Sequence, residues 1–476
     1  MSEPLVLNGV TVVDTRDGSL TPGMSIAIEG GKIARIAAPA GDGGVDARGT
    51  FAVPGYNDFH CHPLNAADPE GSLALMLANG ITGFRQMNGT PELLEARRLG
   101  KLMPGADAPE LLEMAGEILT GANASSVDAV VAEIAKQQSQ GADFIKVIDV
   151  RPEVFFAGLA ESTRRNLRYI GHLPPTVNVA EAATAGMRSI EHLGPKDAVL
   201  LGCSTEEAAF REAIAANPPA GPRISGPIPA GVMMRAIASP LMATPPSEFE
   251  RYQRVIDTFS DAKCRALAAH FTACGTWHVP TLTRIRTMSL VDDDGYRNDP
   301  KLRFVPVSMR QMWEELALEF PQRIAPAARE TLARLFAQLC KLVRPFKSAG
   351  VSMLAGSDSG GTAAWCIPGF GLHQEFDLLA EAGLTPLEIL QMTTRNGAEF
   401  LGRTASMGSV EAGKDANLVL LSANPIASAA NLHEIAGVVR GGTYYDAAAL
   451  AALKTKTEHR VAAAGFASKA VGPPCC

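Results

Sequence analysis

Hydrophobic and polar positions alternate with period two over the first fifty residues. From Pro4 to about Val53 the runs LVLNGVTVVDT, MSIAIEGGKIARIA and TFAVPG are cut by NG, DG and GG turn signals, the signature of short antiparallel strands. The same texture returns in SVEAGKDANLVLLSANP and EIAGVVRGGTYYD near the other end. Two β-rich ends flanking a different middle predict one small β-sandwich domain built from residues 1–55 and 405–446.

The middle, 56–404, has another rhythm. Short apolar runs that end in polar residues alternate with helical stretches, as in a parallel sheet wound by βα units. YNDFHCH, GITGFRQMN, ELLEMAGEIL, DFIKVIDV, RYIGHL, SIEHLG, TWHVPTLT and VSMLAGSDS make eight candidate strands. Eight βα units predict an α/β chain with a (β/α)8 TIM barrel. A helix-rich excess from Ser204 to Phe346 exceeds what a barrel step needs and is expected to form a cap over one mouth. Residues 447–476, Ala-rich and ending GPPCC, read as a terminal helix and a loose tail.

Composition narrows the class of function. With 476 residues, 46% hydrophobic and 20% charged, the chain can bury a large core without staples. A net charge of −7 with no basic cluster argues against a nucleic-acid partner. No run approaches a membrane span and no signal-like start is visible, so a cytoplasmic protein without membrane contact is expected. Cys61, Cys203, Cys264, Cys274, Cys340, Cys366, Cys475 and Cys476 show no CxxC spacing and are expected as reduced thiols. No dinucleotide or P-loop motif is present, which argues against a nucleotide cofactor.

The chemistry-bearing residues fall at the ends of the candidate strands. In Asp-Phe-His-Cys-His, His60 and His62 lie two apart, so on a strand both face one side and can reach one ion. His172 in RYIGHL, His192 in SIEHLG and Asp358 in VSMLAGSDSGG each close a short apolar run. A lone histidine there is ordinarily a satisfied core residue. Five such groups at the C-terminal face of a barrel point instead to a metal site. Imidazole with carboxylate suits zinc, and also manganese, cobalt, iron or nickel. Lys146, inside the apolar strand DFIKVIDV, would be costly to bury charged. It needs an anionic partner, a lowered pKa or conversion to a carbamate, unless it snorkels to the rim.

Taken together, VPGYNDFHCH, FIKV, IGHLPPTVNVAEAATAGMRSIEHLG, LAGSDSGG and MGSVEAGKDANLVLLSANP resemble the amidohydrolase superfamily of metal-dependent hydrolases, most of all its imidazolonepropionase-like and prolidase-like branch. Phenylurea and molinate hydrolases resemble the chain in length and ligand strands. The resemblance implies two divalent metals: His60 and His62 on one, His172 and His192 on the other, carboxylated Lys146 as the bridge, and Asp358 on the first metal. It also implies that Asp358 takes a proton from the attacking hydroxide and passes it to the leaving nitrogen. Asn417 departs from the family, which usually has an aspartate there, and the helical excess leaves the substrate class open.

Further candidates for substrate contact are His278 in TWHVPTLT, His373 in FGLHQEFDLLAEAG, and Tyr169, Arg85 and Gln86 near strand ends. The expected reaction is cleavage of an amide-type C–N bond in a small molecule. Ureas, carbamates and thiocarbamates, including xenobiotics, are the near alternative, and the apolar segments GVMMRAIASPLM and FVPVSMRQMW favour an apolar substrate. A mononuclear deaminase or imidazolone-ring hydrolase would use the same histidines without Lys146, and a non-catalytic scaffold would be expected to have lost ligands that this chain keeps. A homo-oligomer is the expected assembly.

Overall fold

The computed structural model describes residues 5–39, 43–102, 107–216 and 230–463. The two chain ends meet in one eight-stranded sheet. Leu5–Val13, Leu20–Glu29 and Lys32–Ala37 pair antiparallel in succession. Phe51–Pro54 then lies parallel to Leu5–Val13 and antiparallel to Leu418–Leu421, with Leu418 opposite Pro54. Ile435–Arg440 and Thr443–Asp446 complete the path, and Val45–Asp46 pairs beside Leu5–Val13. Alternation divides the faces. Ala52, Leu418 and Leu420 bury against Leu7, Val10, Ile26 and Val439 in a small core, whereas Val53, Val419 and Leu421 turn to the large central core. Pairing thus defines a single sheet in which both ends of the chain take part.

The middle of the chain is mixed α/β with parallel sheets. One sheet runs Trp277–Val279, Ser189–Glu191, Arg168–Gly171, Phe144–Asp149 and Leu119–Thr120; the other runs Tyr56–Cys61, Ile81–Gln86 and Glu110–Met114. Seven of the eight expected strands are therefore present, with Leu119–Thr120 as an addition. The eighth, 351–359, makes no regular ladder. It joins its neighbours through single parallel bridges, His278 with Met353 and Cys61 with Ser359, and a third bridge links Ala115 to Phe144. Gly356 explains part of this irregularity, because a Cβ there would stand 2.6 Å from His60 Cβ and 2.9 Å from His60 N. Only a bare backbone can run this close to the histidine strand.

Helices intervene between most of these strands, started by residues suited to the task. Ser126 caps Val127–Ser139, Asn178 caps Val179–Thr184, and Ser260 caps Asp261–Cys274, which ends at a left-handed Gly275. The expected cap over 204–346 is divided in two by Trp277–Val279. Glu207–Ala216, Ala230–Ala238, Pro246–Asp257 and Asp261–Cys274 precede that strand; Leu282–Ser289, Val307–Arg323 and Pro326–Ser348 follow it. The helical excess is thus two insertions around a sheet strand. Ala447–Ala463 forms the expected terminal helix. The expected tail, with Cys475 and Cys476, lies outside the described residues. Among the described residues no helix is long and apolar enough to cross a membrane, and the six cysteines described are unpaired.

Candidate metal centre

His60 and His62 from one segment, with Lys146, His172, His192 and Asp358 from four others, meet in one cluster in which all but the half-buried His172 are buried. His60 Nε2 lies 3.1 Å from Lys146 Nζ and 3.2 Å from Asp358 Oδ1, and His62 Nε2 lies 3.1 Å from the same oxygen. The His192 ring stands 4.5 Å from that of His60 and 4.9 Å from that of His172. One ligand atom from each of His60, His192 and Asp358 falls within 4.8 Å of the others, a spacing suited to a single ion.

Local backbone shapes aim these groups. Asp358 and His192 adopt left-handed φ values of 55° and 58°, uncommon for residues with a side chain, directly after their apolar runs. Asp358 N and Ser357 N both donate to His60 O, and His62 N donates to Ser359 O. The first and last ligand segments are therefore locked together by backbone bonds. Gly360, at φ 89°, follows so closely that a Cβ would come within 2.7 Å of Pro63 N.

A second layer fixes the imidazoles, and most of it was not foreseen from the sequence. Glu191 Oε2 accepts from His60 Nδ1 at 2.6 Å, which leaves Nε2 with a lone pair facing the cluster. Glu191 Oε1 accepts from Arg85 Nη2 at 3.1 Å and from Ser189 Oγ at 2.9 Å. Thr281 Oγ1 lies 2.5 Å from His192 Nδ1 and donates to Pro280 O, so His192 is the donor of that pair and its Nε2 is likewise left free. Asp58, buried beneath, accepts from Ser357 Oγ and from the amides of His60 and Ser357. Glu191 stands beside His192 in SIEHLG, and that adjacency was the one sequence signal available for it. Nothing local marks Thr281.

Burial sets the electrostatics. It drives His62 down to about 4, against the pull of Asp358, and holds His172 and His192 well below the ordinary histidine range. Burial pushes Asp358 and Glu191 upward, but their cationic and hydrogen-bonding neighbours win. The His60 and His62 rings beside it hold Asp358 well below the carboxylate range, and Arg85 with His60 brings Glu191 to about 2. The cluster therefore presents neutral imidazole next to ionised carboxylate. His62 Nδ1 and His172 Nε2 are buried with no hydrogen-bond partner among the described residues. Neutral imidazoles, an orphaned ring nitrogen and a convergent carboxylate form a donor set that fits a divalent cation.

The other sequence candidates lie elsewhere. Arg85 is spent on Glu191 and on Phe59 O at 2.7 Å, one layer below the ligands. Gln86 bonds Asn65 and Asn88 O and accepts from Leu64 N. Tyr169 packs on Phe155 of the helix Pro152–Arg164, and His278 is held between Phe271 and Phe346, both in the helical layer. His373 bonds Asn79 O and His433 at the seam with the end-built sheet. The structure does not bring these three to the cluster. A cleft lined by Asn65, Phe304, Met309, Trp313, Gly361 and Cys366 opens beside it instead, where the chain continues from His62 and Asp358.

Residues 331–444 match the amidohydrolase family. The chain is 30% identical over 160 residues to an adenine deaminase of Rubrobacter xylanophilus (strain DSM 9941 / JCM 11954 / NBRC 16129 / PRD-1), a match that covers 31% of this chain and 26% of that enzyme. It therefore spans about a quarter of the length of that relative. In structure the chain is similar to a bottromycin amidohydrolase, with a TM-score of 0.70, 21% identity, and 97% of this chain and 91% of the other covered. It is also similar to phenylurea hydrolase B, with a TM-score of 0.58, 17% identity, and 94% and 98% covered.

Proposed function

From the premise that this chain carries an amidohydrolase-family segment within an amidohydrolase fold, we propose that it is a metal-dependent hydrolase cleaving an amide-type C–N bond of a small molecule. The observation that carries the reading is the convergence of His60, His62, Lys146, His172, His192 and Asp358, from five segments distant in sequence, on one buried point. His60 and His62 would hold one ion with Asp358, and His172 and His192 a second, with Lys146 between them as a carbamate. Zinc suits the set, and manganese, cobalt, iron or nickel would fit the same ligand types. When bound, such ions supply Lewis acidity toward a carbonyl and lower the pKa of water. We read the two parallel sheets and segment 351–359 as one eight-stranded barrel, a reading supported by the three bridges that link their edges in a ring.

Asp358 is the group placed to move protons. Oδ1 faces His60 and His62, while Oδ2 accepts no hydrogen bond among the described residues and is ion-paired with Arg284 Nε at 3.2 Å. An ionised carboxylate held in place on both oxygens still has lone pairs to spare, and can take a proton from water and return it to a leaving nitrogen. The lining of Phe304, Val305, Met309 and Trp313 favours an apolar arm on the substrate, which fits anilides, N-acyl amino acids or N-aryl ureas better than charged dipeptides.

A panel of these compounds, with a metal count per chain, tests the proposal. Asp358→Asn should lower kcat by at least about 100-fold while keeping the fold and most of the metal; wild-type turnover in that variant would remove Asp358 from the reaction. A mononuclear deaminase is the second reading, favoured by the three-residue group suited to one ion and by the similarity to an adenine deaminase. One ion per chain, with activity surviving Lys146→Ala, would decide for it.

A further inference from the structure

The segment after Trp277–Val279 touches the candidate centre twice. Thr281 takes a left-handed φ of 44°, costly for a β-branched residue, and its hydroxyl meets His192. The helix Leu282–Ser289 starts there without a side-chain cap of its own. Its Thr283 N–H is instead accepted by Glu375 Oε2 at 2.9 Å, a partner from the helix Phe370–Glu381.

Arg284, in the first turn of that helix, is 3% exposed, so each of its nitrogens must find a partner in the protein. Nε lies 3.2 Å from Asp358 Oδ2. Nη2 donates to Ile237 O at 2.6 Å and Nη1 to Ala238 O at 3.2 Å. Those carbonyls end the cap helix Ala230–Ala238, where the last C=O groups have no partner within the helix and a cation is favoured. A planar guanidinium can serve three acceptors in this way; an ammonium cannot hold the same fork.

We infer that Arg284 is a positioning residue: through one buried guanidinium it ties the seating of the cap helix Ala230–Ala238 to the orientation of the Asp358 carboxylate. The inference rests on Asp358 as the proton-transferring group. The two contacts share one side chain, so disturbing either end disturbs the other.

The experiment pairs steady-state kinetics with amide hydrogen exchange on the metal-loaded full-length protein, using R284K, R284M and D358N. Both Arg284 variants should keep their metal and a KM within about threefold of wild type, while kcat falls about tenfold in R284K and further in R284M. Exchange at residues 231–238 should quicken in both, and also in D358N, whose changed side chain does not touch that helix. Unchanged exchange at 231–238 in R284K and D358N overturns the coupling, as does a kcat within twofold of wild type in R284K. Should R284M fail to fold, R284K and D358N carry both readouts. If no substrate in the panel is turned over by wild type, the hydrolase reading fails by itself, and the exchange measurement still decides whether the cap and Asp358 are joined.

Discussion

At the scale of single residues the sequence was most informative where a polar group interrupts an apolar run. His60, His62, Lys146, His172, His192 and Asp358 could each be picked out because their strands offer no other reason for them, and the structure gathers all six. The supporting shell was far less visible, since its members act across the fold and not along the chain. Glu191 illustrates the difference: its partners His60 and Arg85 lie 131 and 106 positions away. Arg85 was legible as unusual, but its role is to neutralise Glu191 and not to meet substrate. Glu191→Gln is therefore expected to weaken metal binding by about 10- to 100-fold, because His60 loses its charged orienting partner. It should also cost about 3 to 5 kcal/mol of stability, because Arg85 is left buried without a counter-charge. Metal retained after dialysis checks the first effect and urea unfolding the second. Adding Arg85→Met should recover part of the stability and none of the metal affinity.

At the scale of elements, periodicity located seven strands of the middle and failed at the eighth for a physical reason. In VSMLAGSDS the apolar run is as clear as in its neighbours, yet Gly356 brings its backbone against His60 and Asp358 turns left-handed, so a ladder is replaced by single bridges. The helical excess was legible as an excess, and the expected strand TWHVPTLT inside it, observed as Trp277–Val279, is what divides it into two insertions. Glu375 shows what holds such insertions. It is fully buried in Phe370–Glu381, it caps Leu282–Ser289 through Thr283 N, and burial raises its carboxyl to about 8. Between about 4.5 and 8 the unfolded carboxyl has lost its proton and the folded one has kept it, so stability falls as pH rises through that window. Glu375→Gln keeps an acceptor for Thr283 and removes the titration. It should unfold with a flatter pH dependence and gain up to a few kcal/mol on wild type at pH 8 relative to pH 5, measured by denaturant unfolding at both values.

At the scale of the whole molecule, the return of one β texture at both ends foretold their union, and the alternation of Ala52, Val53, Leu418 and Val419 shows why the shared sheet also clamps the middle. That clamp has a polar seam that the sequence presented only as a stray histidine. Tyr56 Oη donates to Leu432 O, and His373 bonds Asn79 O and His433, with His433 in turn on Asp377. Burial holds His373 at about 3, and it holds His278, whose ring nitrogens have no hydrogen-bond partner among the described residues and which sits between Phe271 and Phe346, at about 3 as well. Below about 6.5 the unfolded chain protonates both while the folded chain does not, so stability falls as pH drops from there toward 3, the opposite sign to Glu375. Each histidine can contribute up to about 1.4 kcal/mol per pH unit across that window. His278→Phe, placing a third aromatic ring in an aromatic pocket, is expected to lose less stability on acidification than wild type when both are compared without metal, so that proton competition at His60, His62, His172 and His192 is common to the pair. Equal acid slopes in the two proteins would mean that His278 takes up its proton in the folded state, and the aromatic pocket would then have to open to water before the protein unfolds.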